Sequence, residues 1–266
     1  MTAFMTQASQ ARRPHGKRSD QRGVALFAVL IFVLLSMLLA LWASRTSLFN
    51  EMVVSNDADY QRAYEAAQAL LQDAELDIRM ERADGSACTN TGSGDICRKD
   101  TTDKIPLETQ EVGAMLTTLA NYATIPTGCR KGLCAKRSGR QNFWDYISGV
   151  SPSGLQPGEV SLSAMTATDV GARYGQFTGA TVAASGVGGN PILAATAAGQ
   201  GGWYWIEVLP YTEGMSAGVI VGAADNTLAL NVSPNVVYRI TAIANGRKPN
   251  TMAVLQEVYA QQKLKD

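Results

Sequence analysis

VALFAVLIFVLLSMLLALW, residues Val24 to Trp42, decides how this chain is read. No charge interrupts the run, and Ser36 is its one hydroxyl. A bilayer core takes about 20 apolar residues at roughly 1.5 Å each, and a lone spanning segment satisfies its backbone as a helix. Arg45 follows closely, and Trp42 stands where an aromatic ring meets the headgroups. The competing reading is a buried core helix of a soluble protein.

The charges give an orientation. Positions 1–22 carry Arg12, Arg13, Lys17, Arg18 and Arg22 against Asp20 alone, while the remainder is net acidic. The formal net charge of zero hides this split. The positive-inside rule puts the basic segment in the cytoplasm and everything after Arg45 outside, which is the periplasm of a Gram-negative cell. A nucleic-acid arm is the other reading of such a segment, but basic residues beside a span serve topology. A cleaved secretory signal fits poorly. The run is long for a signal core, and Ala40-Leu41-Trp42-Ala43-Ser44 makes a weak cleavage site.

Helical character continues past the span. Neither Pro nor Gly occurs from Arg45 to Ala83, and Tyr60, Ala63, Tyr64, Ala67, Leu70, Leu71, Ala74 and Ile78 recur at three- and four-residue steps. Glu75 and Arg79 add an i,i+4 pair. Together with the span this predicts one helix of roughly 57 residues, about 85 Å long, ended by Asp84-Gly85-Ser86. The polar stretch Asn50 to Asp57, with Val53-Val54 inside it, is a candidate for bending or unwinding. The division expected is a leader at 1–23, a transmembrane helix at 24–44, an exported helical half at 45–84 and a head domain at 85–266.

The head opens with a loop-rich, cysteine-bearing region. The four cysteines, Cys88, Cys97, Cys129 and Cys134, allow three pairings. Local closure, 88 with 97 and 129 with 134, is preferred because short loops close at least entropic cost, and an oxidising compartment favours disulfides. A four-thiolate zinc site is the rival, although these spacings depart from zinc knuckles. Leu107 to Ala120 suggests a short helix around Val112, Leu116 and Leu119, and Phe143 to Ile147 reads as a packing anchor. Residues 151–202 are rich in Gly, Ala, Ser and Thr and suggest long loops.

The last third reads as antiparallel sheet. Trp203 to Leu209 is a strand stopped by Pro210, and Ala217 to Ala223 is a weaker one. Val236 to Ala244 and Thr251 to Tyr259 flank the turn Asn245 to Asn250, with Arg239 and Glu257 as a candidate cross-strand pair. Such a sheet needs a cover for its apolar face, and the Tyr60 to Ile78 stripe supplies one. The fold class expected is α+β, a long N-terminal transmembrane helix packed on a small C-terminal antiparallel sheet.

Several activities lose their chemistry. The single histidine is His15 in the leader, so the head lacks the residue for a Ser-His-Asp or Cys-His apparatus or a histidine-ligated metal. Asp95, Asp100 and Asp103 miss the EF-hand spacing and read as a solvated loop. Gly186 to Gly189 lacks the strand–turn–helix context of a nucleotide fingerprint. Ser-Lys or carboxylate-only enzymes have no motif here. The acidic exported region disfavours nucleic acid, and no cofactor is expected.

The ordered set Gln21-Arg22-Gly23-Val24-Ala25-Leu26, the apolar run, Arg45, Glu51 and Ala63 to Glu75 resembles the PilX family of type IV pilus minor pilins. The terminal strands, Tyr238 to Ala242 and Val254 to Tyr259, resemble the end of the same family. The resemblance covers 21–83 well, 203–260 moderately, and 86–202 in character only. It implies a pilin-like fold and prepilin cleavage between Gly23 and Val24, with a new amino terminus open to methylation. It also implies a non-enzymatic role in starting or tipping the pilus, in support of twitching motility and adhesion. The implied partners are other minor pilins, the major pilin, the inner-membrane assembly platform and a large tip-associated adhesin. One departure stands out. Major pilins carry Phe after the cut and Glu four residues later, where this chain has Val24 and Ala28. A minor pseudopilin of a type II secretion system shares the spine and the sheet, and recognisable calcium ligands would favour it. A single-pass periplasmic binding protein or enzyme is a more distant alternative.

Overall fold

The structure, a computed structural model, describes residues 22–88, 96–98, 104–137, 142–146, 158–182, 189–210 and 234–261. Positions 1–21 of the leader, His15 among them, the loop Asp95, Asp100 and Asp103, the positions Gly186 to Gly188, Ile147 and the weak strand Ala217 to Ala223 lie outside the described residues. Two compact units divide the chain, Met1–Val54 and Ser55–Asp266. Helix α1 spans Arg22–Arg79.

In the first unit, α1 is an unbroken apolar helix whose side chains are exposed from Val24 to Val54. The unwinding considered for Asn50 to Asp57 is absent, for these positions are helical throughout. Part of the reason lies in the second unit. There Lys248 Nζ donates to Ser55 Oγ at 2.6 Å and Asn56 Oδ1 at 2.8 Å, so side chains poor in helix propensity are engaged by tertiary contacts.

The end of α1 also differs from expectation. The helix stops at Arg79, not at Asp84-Gly85-Ser86. Met80 takes the left-handed conformation, with φ of 55°. Its amide donates to the Asp77 carbonyl at 3.2 Å, and the Glu81 amide donates to the Leu76 carbonyl at 2.9 Å. These two bonds make a Schellman cap with Met where Gly is usual. Asp84-Gly85-Ser86 instead turns the chain so that Glu81 bridges Ala87, and the Ser86 amide donates to Asp84 Oδ1 at 2.9 Å.

The second unit is built on a five-stranded sheet in the order β1 (Cys129–Arg130), β2 (Leu133–Cys134), β3 (Gly201–Pro210), β4 (Val236–Asn245), β5 (Met252–Tyr259). β3, β4 and β5 are antiparallel, with Tyr204 opposite Ala242 and Ala242 opposite Leu255. β2 joins β3 in parallel, so the sheet is mixed at that one short pair. This strand came from the cysteine-bearing region read as loop. Short helices complete the unit: α2 (Val112–Tyr122), α3 (Leu162–Met165) and α4 (Pro191–Ala194). α2 matches the short helix expected near Leu107 to Ala120, and the Phe143–Asp145 anchor is a single 3-10 turn.

Alternation along the strands produces two faces. Tyr204, Ile206, Tyr238, Ile240, Ala242, Ala244 and Ala253 share a core with Ala63, Ala66, Ala67, Leu70, Ala74 and Ile78 of α1. The alanines permit close approach. A Cβ on Gly202 would stand 2.5 Å from Leu70 Cδ1 and 3.0 Å from the Ile243 carbonyl oxygen. The opposite face is buried too, since Trp203, Trp205 and Ile243 pack with Phe143, Leu162 and Met165. Phe143 meets Trp205 edge-on at 4.9 Å between ring centroids.

Register corrects one side-chain pairing. Glu257 stands opposite Ile240 and Arg239 opposite Val258, so Arg239 and Glu257 point to different faces. Arg239 sits across from Glu207 and donates its Nε to Glu207 Oε2 at 3.0 Å.

The β1–β2 connection sets a steric demand. Lys131 and Gly132 both have positive φ, 49° and 79°, as a two-residue hairpin turn requires. A Cβ at Gly132 would lie 2.6 Å from Ala172 Cβ. Gly132→Ala is expected to cost about 2–4 kcal/mol, combining strain with overlap, whereas Lys131→Asn gains up to about 1 kcal/mol. Thermal unfolding of the detergent-solubilised chain checks both, and an unchanged midpoint for Gly132→Ala would contradict this packing.

Candidate assembly interface

Among the described residues of the first unit, no side chain from Val24 to Val54 is drawn into a core. From Val24 to Asn50 the sequence contains no acidic residue, and Ala28 is exposed on the helix surface. Two hydroxyls are satisfied within the helix: Ser36 Oγ donates to the Val33 carbonyl at 2.9 Å and Thr46 Oγ1 to the Trp42 carbonyl at 3.0 Å. Such internal bonding suits a segment surrounded by lipid or by other helices. This is one helix long and apolar enough to cross a membrane. Gly23 and Val24, the residues flanking the expected cut, lie in the first turn of α1.

In the second unit α1 buries the expected Ala63, Ala67, Leu70, Ala74 and Ile78, leaves Tyr60 exposed, and adds three acids that the apolar stripe did not include. Asp59, Asp73 and Asp77 are each only 2% exposed, on the same face as Ala63, Ala66 and Leu70. Their steps of three, four or seven residues keep them on one side of a helix. A charged residue on an apolar stripe was the available signal, and each one binds a different part of the head.

Asp59 receives the β4–β5 turn. Its oxygens accept the Arg247 amide at 3.1 Å and the Lys248 amide at 2.9 Å. Burial tends to raise this carboxyl, but the two amides, Thr251 and the Lys248 charge outweigh it and hold the carboxyl below its ordinary range.

Asp73 holds the loop at 175–178. It accepts the Gly175 amide at 2.8 Å and the Thr178 hydroxyl. Burial pushes its carboxyl up to about 6, against the pull of those bonds and with a further rise from the Asp77 charge.

Asp77 anchors Arg98. The guanidinium donates through Nε at 2.8 Å and Nη2 at 2.7 Å, with side-chain exposure of 0% for Arg98 and 1% for Asp77. Tyr204 Oη donates to the same carboxylate at 2.9 Å, and burial first, then Asp77, holds that phenol protonated far above its ordinary range. Arg98 also donates to the Lys131 carbonyl at 2.8 Å and lies 3.8 Å over the Phe177 ring. One ion pair thus joins helix, β3, the β1–β2 turn and the loop beyond Ala172.

The four cysteines form Cys88–Cys97 and Cys129–Cys134. The first bond brings the chain back beside the end of α1, where the Cys88 amide donates to the Met80 carbonyl at 2.9 Å. Arg98, next to Cys97, is thereby delivered to Asp77. The second bond closes the β1–β2 hairpin against the tryptophan face.

A shallow cleft on that face is lined by Arg137, Phe143, Trp205, Glu207 and Arg239 among others. Glu207 accepts the Arg137 amide at 2.8 Å as well as the Arg239 guanidinium. Burial lowers the Arg137 guanidinium to about 10, Glu207 opposing and Arg239 adding to the fall, while its side chain stacks 4.3 Å from the Phe143 ring. These contacts consume the cleft's charges in packing. Among the described residues no group of three or more His, Cys, Asp or Glu side chains is placed to hold a metal ion.

A single apolar N-terminal helix whose later turns cover a small, mostly antiparallel sheet defines a pilin-like α+β protein. The chain belongs to the PilX family of type IV pilus assembly proteins. The PilX N-terminal model matches residues 22–72, and the model of the type IV pilus assembly protein PilX C-terminal region matches residues 130–261. The second match takes in more of the middle of the chain than the resemblance in its sequence suggested. No curated protein and no solved structure matches the chain. The family is a structural component of pili, not an enzyme family, and places the protein among minor pilins that associate with other pilus components.

Two outcomes follow from the buried acids. Asp77→Ala strands the Arg98 charge and is expected to cost about 3–5 kcal/mol, against at most about 1 kcal/mol for Glu75→Ala at the half-exposed Arg79 pair. Denaturant titration of the full chain in detergent measures the difference, and equal midpoints would refute the role given to Asp77. For Asp73, the folded carboxyl near 6 lies above its ordinary 3.8. Its contribution is full below pH 3.8 and lost as pH rises through about 6. Asp73→Asn should therefore flatten the stability profile between about pH 4 and 7.

Proposed function

We propose that this protein is a minor pilin that helps initiate type IV pilus assembly and forms part of the priming or tip complex, and so supports twitching motility and adhesion. The observation that carries the reading is the exposed helix from Val24 to Val54, which has no carboxylate before Glu51. In a filament, each added subunit gains from a buried carboxylate that meets the amino terminus of its neighbour. With Ala28 in that position, the chain gives up this bond and avoids an unpaired charge in lipid. That suits a subunit with no predecessor to pair with.

The sequence of events is as follows. The basic leader sits in the cytoplasm and Arg45 onward in the periplasm, so the protein is a single-pass inner-membrane protein with an 85–266 head outside. The peptidase cuts between Gly23 and Val24, where the small Gly23 admits the enzyme to the backbone. Val24 becomes the new amino terminus, and positions 24–44 stay in the bilayer as a subunit pool. Assembly exchanges lipid contacts of this helix for contacts with other pilin helices. The head, held by its two disulfides in the oxidising compartment, docks on other minor pilins, the major pilin and a large tip-associated adhesin, with the inner-membrane platform below.

Chromosomal deletion tests the reading. The expected result is loss of surface pili and of twitching, restored by the wild-type gene but not by Leu34→Arg, which puts about 2.5–3.5 kcal/mol of unfavourable charge in the span. Normal piliation and motility in the deletion strain would contradict it. Lost protein secretion with normal pili would assign the chain to a secretion system instead.

A further inference from the structure

The seam between α1 and β5 contains an arrangement that neither assembly nor packing uses. β5 is the last strand in the sheet order, and the side of it that faces α1 carries Ala253, Leu255, Glu257 and Tyr259. Glu257 is therefore a carboxyl on an otherwise apolar row. Its Oε1 is buried and has no hydrogen-bond partner. The group it meets is Glu75 of α1, another carboxyl.

Charge in the seam is unbalanced. Arg79 reaches Glu75 at 3.6 Å but Glu81 at 2.9 Å. Arg79 also bonds to Tyr259 on β5. Behind Tyr259, the Tyr238 ring of β4 stands 6.4 Å away, and burial holds its phenol protonated. Glu75 therefore shares Arg79 with Glu81, to which the cation is closer, while Glu257 meets Glu75. Two acceptors in contact make no bond unless one of them carries a proton, and two ionised carboxylates side by side repel.

We propose that Glu75 and Glu257 form an acid-closed latch between the spine helix and the edge strand: sharing one proton they bind β5 to α1, and when both ionise they release it. Burial and then the Glu75 charge raise the Glu257 carboxyl from 4.5 to about 6. The contribution of the latch is full below pH 4.5 and lost as pH rises through about 6. A neutral exterior thus loosens β5 from α1, whereas mild acid clamps it.

Hydrogen exchange on the full chain in detergent micelles tests the latch. Protection factors, corrected for intrinsic exchange, are compared at pH 5 and 7.5 for peptides covering β5 and, as reference, β3. Asp73 titrates in the same range, so every arm is repeated in an Asp73→Asn background. In the wild type, β5 protection is expected to fall about tenfold or more relative to β3 between the two pH values. Glu257→Gln, whose amide can donate to Glu75, should keep β5 protected at both. Glu75→Gln provides the same neutral pairing from the helix side, should one variant fold poorly. Equal β5 protection at both pH values in the wild type would overturn the proposal, as would a pH response that persists in both glutamine variants.

Discussion

The fold depends on one contact: the face of α1 from Asp59 to Ile78 laid against the sheet. Ala63, Ala66, Ala67 and Ala74 keep that face thin, and Gly202 answers them from β3. Side chains packed this tightly, with Leu70 against Gly202, leave little room for error in register. Dispersion and burial supply the attraction, but small side chains bury little area each and cannot select an orientation alone. Selection falls to Asp59, Asp73 and Asp77, which bind the β4–β5 turn, the loop at 175–178 and Arg98. Each bond is worthless if the helix is rotated or shifted by a turn. Buried ions seldom add net stability over well-packed apolar groups, yet breaking one pair strands its partner, which makes the assembled arrangement the one that satisfies all three acids.

The same helix meets opposite demands along its length. From Val24 to Trp42 its side chains are exposed and almost all apolar, with the Ser36 hydroxyl returned to a helix carbonyl. From Ser55 onward it belongs to a core with polar anchors. The head satisfies the second part. Under the proposed function this division suits a subunit that leaves a bilayer for a filament, because the environment of the first part changes while the second keeps its fold.

Much of this was legible in the sequence because periodicity and punctuation are local. The apolar run, the three-four stripe and the strands beginning at Trp203, Val236 and Met252 all declare themselves within a few residues. The family match at residues 22–72 and 130–261 rests on the same stretches. Long-range register was less visible. The pairing of Arg239 with Glu257 failed because a one-residue offset sends the two to opposite faces, and Glu207 lies in a strand far away in sequence. The helix end was misplaced because Met80, not a glycine, takes the left-handed cap, and its buried side chain offsets the strain. Nothing local marks Cys129 to Cys134 as a strand pair, since its hairpin is fixed by the parallel contact to β3. The uncharged run Trp203 to Ile206 did carry a signal that both sheet faces are covered.

The account turns on the first part of α1 being the amino-terminal spine of a processed pilin. The amino-terminal sequence and intact mass of the protein recovered from sheared surface pili test this most directly. The account predicts a chain that begins at Val24, lacks the leader, and carries both disulfides. Recovery of assembled protein with Met1 intact would contradict it.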